Sequence, residues 1–442
     1  MVFLTLILSI AAVAFLSSRL HNTLLSPWGI YSLAWLGMFA LYALDWVSFV
    51  PIRIETWTVL IGSLITYGLG ASIALVSWNR KRQTTMPAPD TWFEGVDLAM
   101  YGRVQFVVTV LGLIGAAGYF GVIDRLFGLQ TLLTNPGSIR SSQNSEDYIS
   151  AFFWWKFLFY MNWFAIPLGT ARLLYQGRRT PLWVPLTLLL SIAINLTLVA
   201  RLQILFILFS ILFMVGAAYQ KKLRVWEPVL IGTVLVVVAV YFVAAGELLG
   251  KTYDYIIGLA GFYGPEAFRP LTGIYIYITA NIPAFQAYMY FNELHHTYGL
   301  FQIIPAAKLL SRLQLISVAL PSEVGEFVPV PFPFNTFTYL NVFYKDWGVI
   351  GAITGPFLFG LLGNWLYLRA CASGRVWHII GAMLVAHACV LSISTNDLIR
   401  TPQWEYVIGL IVLAVISRKR SPRQVIVPAW QRSPTGTPTL EP

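Results

Sequence analysis

The chain has 442 residues, 57% of them hydrophobic and 11% charged, with a net charge of +10. Soluble domains carry roughly 25% charged residues, so a soluble fold of this size has too little polar surface to cover its apolar side chains. The composition reads instead as an all-α polytopic integral membrane protein, and the positive balance points to cytoplasmic loops rather than to a nucleic-acid partner.

Apolar runs long enough to cross a bilayer lie near residues 2–18, 28–50, 57–77, 104–123, 151–171, 182–200, 202–219, 228–246, 347–368, 376–394 and 404–417, which predicts eleven spans. The first run has neither a basic leading region nor a small-residue cleavage site, so it reads as a retained span and not a signal peptide. The stretch 182–219 is too long for one span, and Arg201 divides it into a tight helical hairpin. An odd count puts the termini on opposite sides. The basic segment SRKRSPR (417–423) places the C-terminus in the cytoplasm and the N-terminus in the periplasm. With that orientation the inner loops hold 18 of the 29 Lys and Arg residues and the outer segments 10, as the positive-inside rule requires.

Four regions follow: eight N-terminal transmembrane helices over 1–246, a large periplasmic and interfacial region over 247–346, three C-terminal transmembrane helices over 347–417, and a Pro- and Thr-rich, disordered, basic cytoplasmic tail over 418–442. Within the second region, 271–290 and 298–310 are apolar enough to form short helices in the membrane interface or to re-enter it. The alternative is a further pair of spans, which Asn281 and Pro283 and the shortness of the second run weigh against. No internal repeat is apparent. Cys371 and Cys389 fall at different depths, which argues against a disulfide.

Ionisable residues within or bordering spans are expensive and point to function. Asp45, Lys156, Asn195, Arg201, Glu247, Asp397, Arg400 and Glu405 all map to the outer half of the membrane, and only His387 and Asn162 sit near its middle. A transporter would line a path through the whole bilayer, so the one-sided cluster favours chemistry at the outer surface. The stretch FNTFTYLNVFYKDWGVIG (334–351) lies there, at the mouth of the ninth span. Its aromatics fit an interfacial belt. Its Asn335, Asn341 and Asp346 add amides and a carboxylate, a combination that suits sugar rings with apolar faces and hydroxyls. Lys251, Arg269, Lys308, Arg312 and Lys345, with Arg125 and Arg140, supply cations for a phosphate-bearing ligand. No metal-ligand spacing, nucleophile elbow, phosphate loop or dinucleotide fingerprint is present, and the adjacent His295 and His296 read as surface residues.

Three stretches resemble the bacterial oligosaccharide repeat-unit polymerases, the Wzy-type O-antigen and capsule polymerases. They are FNTFTYLNVFYKDWGVIGAITGPFLFGLLGNW (334–365), YIYITANIPAFQAYM (275–289, with Ala280 where Gly is more usual) and ARLQILFILFSILF (200–213, with Ala200 in place of Gly). The resemblance implies a glycosyltransferase that needs no metal or other cofactor. A glycan growing on undecaprenyl diphosphate is the donor and a lipid-linked repeat unit the acceptor. The acceptor hydroxyl attacks the donor's anomeric carbon, an acidic residue takes the proton, and Arg stabilises the departing diphosphate. On that likeness Arg201 corresponds to the hairpin arginine, Asn281 to the middle signature, and Asn335, Tyr344 and Asp346 to the late one. Asp346, Arg201 and Glu266 become the candidate catalytic residues. Arg140, Arg269, Lys345, Tyr344, Asn335, Asn281 and Lys156 become the candidate substrate-binding residues. The Arg-to-Gly spacing of eleven described for some members is missing at Arg140 and Arg269. The lipid-linked oligosaccharide, the inner-membrane bilayer and a chain-length regulator are the implied partners.

Asp346 reads equally as the N-cap of a helix starting near Trp347 or as the proton acceptor. Rival functions are an O-antigen ligase using His295 or His296, a polysaccharide flippase, and a membrane acyltransferase. The last is disfavoured because His387 has no carboxylate at helical spacing.

Overall fold

The computed structural model describes residues 23–78, 84–135, 137–139, 146–197, 201–223, 254–291, 296–316 and 327–417, with scattered positions in 10–21 and 229–244. Among these, nearly all regular structure is helical: α1 Pro27–Tyr42, α2 Ile54–Ser77, α3 Leu98–Phe127, α4 Glu146–Gln176, α5 Trp183–Thr197, α6 Arg201–Leu223, α7 Thr272–Thr279, α8 Asn281–Phe291, α9 Ile304–Arg312, α10 Leu340–Ser373, α11 Val376–Leu391 and α12 Thr401–Ile416. Helices occupy every expected span except 2–18 and 228–246, which fall largely outside the described residues, as does the tail 418–442. Ile54–Ser77, Leu98–Phe127, Gln203–Gln220 and Leu340–Ser373 are long and apolar enough to cross a membrane. This is a helical membrane protein.

Side chains set several boundaries. Ser26 caps α1 by accepting from the Gly29 N–H at 3.1 Å, with Pro27 in the first turn. Asp97 caps α3 through the N–H groups of Ala99 and Met100 at 3.0 and 3.1 Å. The expected span 28–50 ends early, at Tyr42, where the chain turns and Asp45 takes a positive φ of 52°.

Two seams of small residues hold the bundle. Along the antiparallel pair α3 and α4, a Cβ at Gly112 would lie 2.4 Å from the Asn162 nitrogen, one at Gly115 2.2 Å from the Phe159 nitrogen, and one at Gly118 2.1 Å from the Trp155 ring. Helices α2 and α10 run parallel: Gly70 abuts the Phe357 carbonyl, Gly360 abuts the Tyr67 carbonyl, and Thr66 Oγ1 donates to the Ile353 carbonyl at 2.8 Å. In lipid there is no hydrophobic drive between helices, so close backbone approach and interhelical hydrogen bonds supply the association. Between the seams lies a buried aromatic core. Tyr31 stacks on Tyr67 at 3.7 Å and shares a 2.9 Å hydrogen bond with Tyr339, while Trp35 Nε1 donates to Ser392 Oγ at 2.9 Å.

The loops sort into two ends. At one, Met86 N–H donates to Gln220, Asp97 N–H to the Ser417 carbonyl and Val376 N–H to the Trp92 carbonyl. At the other, Trp46 N–H donates to Tyr275 Oη, Gln286 Nε2 to the Pro51 carbonyl and Tyr339 N–H to the Ser392 carbonyl. These are the same two groups of loops that the charge distribution assigns to opposite sides. The stretch 271–290 is a helix broken at Ala280 and packed into the protein, with α7 against α1 and α8 against α10. Tyr275, Ile276, Ile282, Ala284 and Phe285 are buried against the other helices. The short α9 keeps Ile304 and Ala307 buried while Leu309, Leu310 and Arg312 are exposed. A two-residue antiparallel hairpin, Val328–Pro329 with Pro333–Phe334, leads into α10.

Candidate active site

The stretch 334–347 is mostly interior. Phe334, Phe337, Tyr339, Phe343 and Tyr344 are buried, Asn335 and Lys345 are half-buried, and Trp347 is exposed. The aromatics therefore do not form the expected interfacial belt. They pack under α8, where Phe285 meets Tyr344 edge-on at 5.8 Å and Tyr288 meets Phe337 at 5.4 Å.

Asp346 is fully buried, and it is not the N-cap of a helix beginning at Trp347. Helix α10 starts earlier, at Leu340, and is interrupted just after Asp346 by Gly348 at φ 63° and ψ −149°. The carboxylate reaches away from its own helix. It accepts from Thr297 Oγ1 and from the backbone N–H groups of Phe301 and Gln302 at 3.1 and 3.2 Å. The N–H groups of Thr297 and Tyr298 donate in turn to the carbonyls of Lys345 and Asp346, both at 3.2 Å. A carboxylate committed to three donors in a buried site is poorly placed to accept a substrate proton. Lys345 extends over the Phe301 ring, with Nζ 4.9 Å from its centroid.

The other candidates are dispersed. Glu266 and Arg269 form an exposed i,i+3 ion pair at 2.9 Å on the turn Glu266–Leu271, beside Trp46, which stacks on Phe268 at 5.3 Å. Asn281 is buried and spends its amide on the carbonyls of Tyr277 and Ile278 at 2.7 and 3.1 Å, fastening the helix break. Arg201 is the first residue of α6, but its side chain, like the whole of Arg140, Glu247 and His295, lies outside the described residues.

A different group converges at the same end of the bundle, in the corner between α4, α6, α11 and α12. His387 on α11 and Asp397 in the turn after it are both buried, and Nδ1 of the ring lies 2.9 Å from the carboxylate. Asp397 also accepts from Gln403 Nε2 and, at 3.5 Å, from the half-exposed Arg400. Burial opposes the charge on Asp397, but His387, Arg400 and Gln403 together hold its carboxyl below the usual range. When the ring is neutral, its hydrogen bond to Asp397 keeps the proton on Nδ1 and leaves a lone pair at Nε2. That Nε2 is buried and has no hydrogen-bond partner among the described residues.

The Phe206 ring of α6 sits at the centre of this corner. It lies 4.9 Å from His387, 5.4 Å from Tyr406 and 6.4 Å from Trp163. Tyr406 Oη, Trp163 Nε1 and both carboxylate oxygens of Glu405 are buried and likewise lack partners among the described residues. Lys156 acts electrostatically on Glu405. Arg201 precedes Phe206 by five residues on the same helix, about 7.5 Å along its axis. Partnerless buried polar atoms occur elsewhere among the described residues, so what marks this corner is their grouping around the His387–Asp397 pair. The corner thus offers a base with an open lone pair, hydrogen-bonding groups around it and cations at its rim.

Comparison with protein-family models, with curated proteins and with solved structures returned no match for this chain. Its reading rests on the geometry of the corner and on the sequence resemblance. Sequence reasoning had placed Lys156, Arg201, Arg400 and Glu405 in the same half of the membrane, and the structure brings their helices together. It had looked for a carboxylate beside His387 only at helical spacing, and the partner, Asp397, comes from the turn after the helix. The signal was a carboxylate six residues past the end of α11, on a turn short enough to fold back over the helix.

Proposed function

We propose that the chain is a polysaccharide polymerase of the bacterial inner membrane, with eleven spans, a periplasmic N-terminus and a cytoplasmic C-terminus. It transfers a glycan growing on undecaprenyl diphosphate to the non-reducing end of a lipid-linked repeat unit. The observation that carries the reading is the buried His387–Asp397 pair with its open Nε2, ringed by polar groups and cations at one end of the bundle. His387 Nε2 takes the proton of the acceptor hydroxyl. The hydroxyl oxygen bonds to the donor's anomeric carbon as the bond from that carbon to the diphosphate oxygen breaks, and the electron pair leaves with the lipid diphosphate. Arg400, Lys156 and Arg201 offset the charge that develops on the leaving group. Asp397 holds the ring tautomer and favours the imidazolium that forms.

The same pair favours a second reading, a membrane acyltransferase in which His387 deprotonates a hydroxyl acceptor for attack on an acyl donor. Glycan profiling separates the alternatives. In a strain whose only copy is His387→Gln, loss of a polymerase leaves single repeat units on the acceptor and no ladder, with activity down roughly 10²–10⁴-fold. A ligase defect leaves full-length polymer on the lipid carrier. An acyltransferase defect leaves ladder length unchanged and removes ester-linked acyl groups. A normal ladder with normal acylation sinks both readings of His387.

A further inference from the structure

We propose that Asp346 is a positioning residue that, through the loop 297–302, holds the turn carrying Asp397 against His387. The chain of contacts is continuous. The Asp346 carboxylate gathers three donors from that loop, the Thr297 hydroxyl and the Phe301 and Gln302 N–H groups. So fastened, Phe301, with Ile304 a turn further on, packs against Val342 and Ile399 in one buried apolar cluster. Ile399 belongs to the turn Asp397–Ile399, whose first residue pairs with His387 and whose next neighbour is Arg400. Displacing Phe301 removes the apolar support beneath that turn.

The chemistry also explains a carboxylate rather than an amide at position 346. An ionised carboxylate only accepts, and all three of its partners here are donors. In an asparagine the NH₂ group would face one of those donors and leave it unpaired in a buried place. Among the described residues the Asp346 carboxylate bonds only to that loop, so it acts through the loop. Its effect on rate rests on the reading of His387 as the base, but the mechanical link does not.

The test uses the purified full-length protein in detergent and reads the accessibility of His387 without any substrate. Diethyl pyrocarbonate modifies an imidazole nitrogen, and mass spectrometry resolves each histidine. His378, at the opposite end of α11, serves as the internal control. Asp346→Asn and, separately, Phe301→Ala should each raise the carbethoxylation rate of His387 several-fold and leave His378 unchanged. The double variant should go no further than the stronger single one, because both act on one link. An unchanged His387 rate in Asp346→Asn overturns the proposal, and so does a parallel rise at His378, which marks general loosening. If Asp346→Asn does not fold, Thr297→Val removes one of the three donors, and the same two outcomes decide. Inactivity of His387→Gln is a separate measurement, so a failed link and a failed assignment of the base remain distinguishable.

Discussion

Asp397 keeps a charge in the protein interior because its neighbours do more than offset the cost of burial. Its carboxyl is held below the ordinary range by His387, Arg400 and Gln403. A group whose folded value is depressed stabilises the fold above its unfolded value, near 3.9 for Asp, and that contribution fades as the pH falls through the folded value. The purified protein should therefore lose thermal stability as it is acidified below the ordinary carboxylate range. Asp397→Asn should flatten that acid limb, and identical limbs in the two proteins would remove Asp397 from the account. At this scale the sequence marks unusual polar residues but not how they pair. Lys156, Arg400 and Glu405 stood out as costly charges in one half of the membrane. His387 and Asp397 are ten positions apart, so a search at helical spacing missed a contact made by a turn folding back over its own helix. Asp346 shows the converse: its side chain leaves its own helix for a loop more than forty residues earlier, which no local pattern announces.

Hydropathy located most of the helices because a spanning helix has to be apolar over nearly all of its length. It failed at their ends. Helix α10 begins seven residues before the expected mouth at 347, because the break at Gly348 leaves helical backbone on both sides of it. The apolar run 271–290 gave no sign of whether protein or lipid would cover it, and the structure covers it with α1 and α10. The glycine seam of α3 and α4 is readable in GLIGAAG (112–118) once it is asked which residues allow backbones to touch. It also gives a sharp comparison. Gly115→Ala places a methyl 2.2 Å from the Phe159 nitrogen and should cost about 1–3 kcal/mol through forced separation of the helices. Gly121→Ala, on the same helix with nothing within 4 Å, should leave the melting temperature unchanged or slightly raised. Equal behaviour of the two variants in a thermal-shift measurement would show that the seam does not hold the bundle.

Across the whole molecule, the two groups of loops make a topology that labelling can test. Cys371 and Cys389 are buried and give little background. On the proposed orientation, Tyr263→Cys, at a position 71% exposed, should react with an impermeant maleimide in intact cells. Glu94→Cys, exposed at the other end, should react only after the cells are permeabilised. The reverse pattern would turn the protein over and place the His387 corner in the cytoplasm, where the proposed lipid-linked donor and acceptor are not presented for polymerisation.

Gly348 divides the 34-residue α10 into a short piece of two turns and a long rod. Its backbone sits in a region that only glycine enters cheaply. The short piece is tied to the loop 297–302, and the rod lies side by side with α2. The two pieces also brace each other, since a Cβ at Gly351 would lie 2.2 Å from the Phe343 carbonyl oxygen and one at Gly355 2.4 Å from the Phe343 ring. The bend is therefore a buttressed corner: glycine at 351 and 355 lets the short piece lean on the rod, and a side chain at either position would prise the corner open.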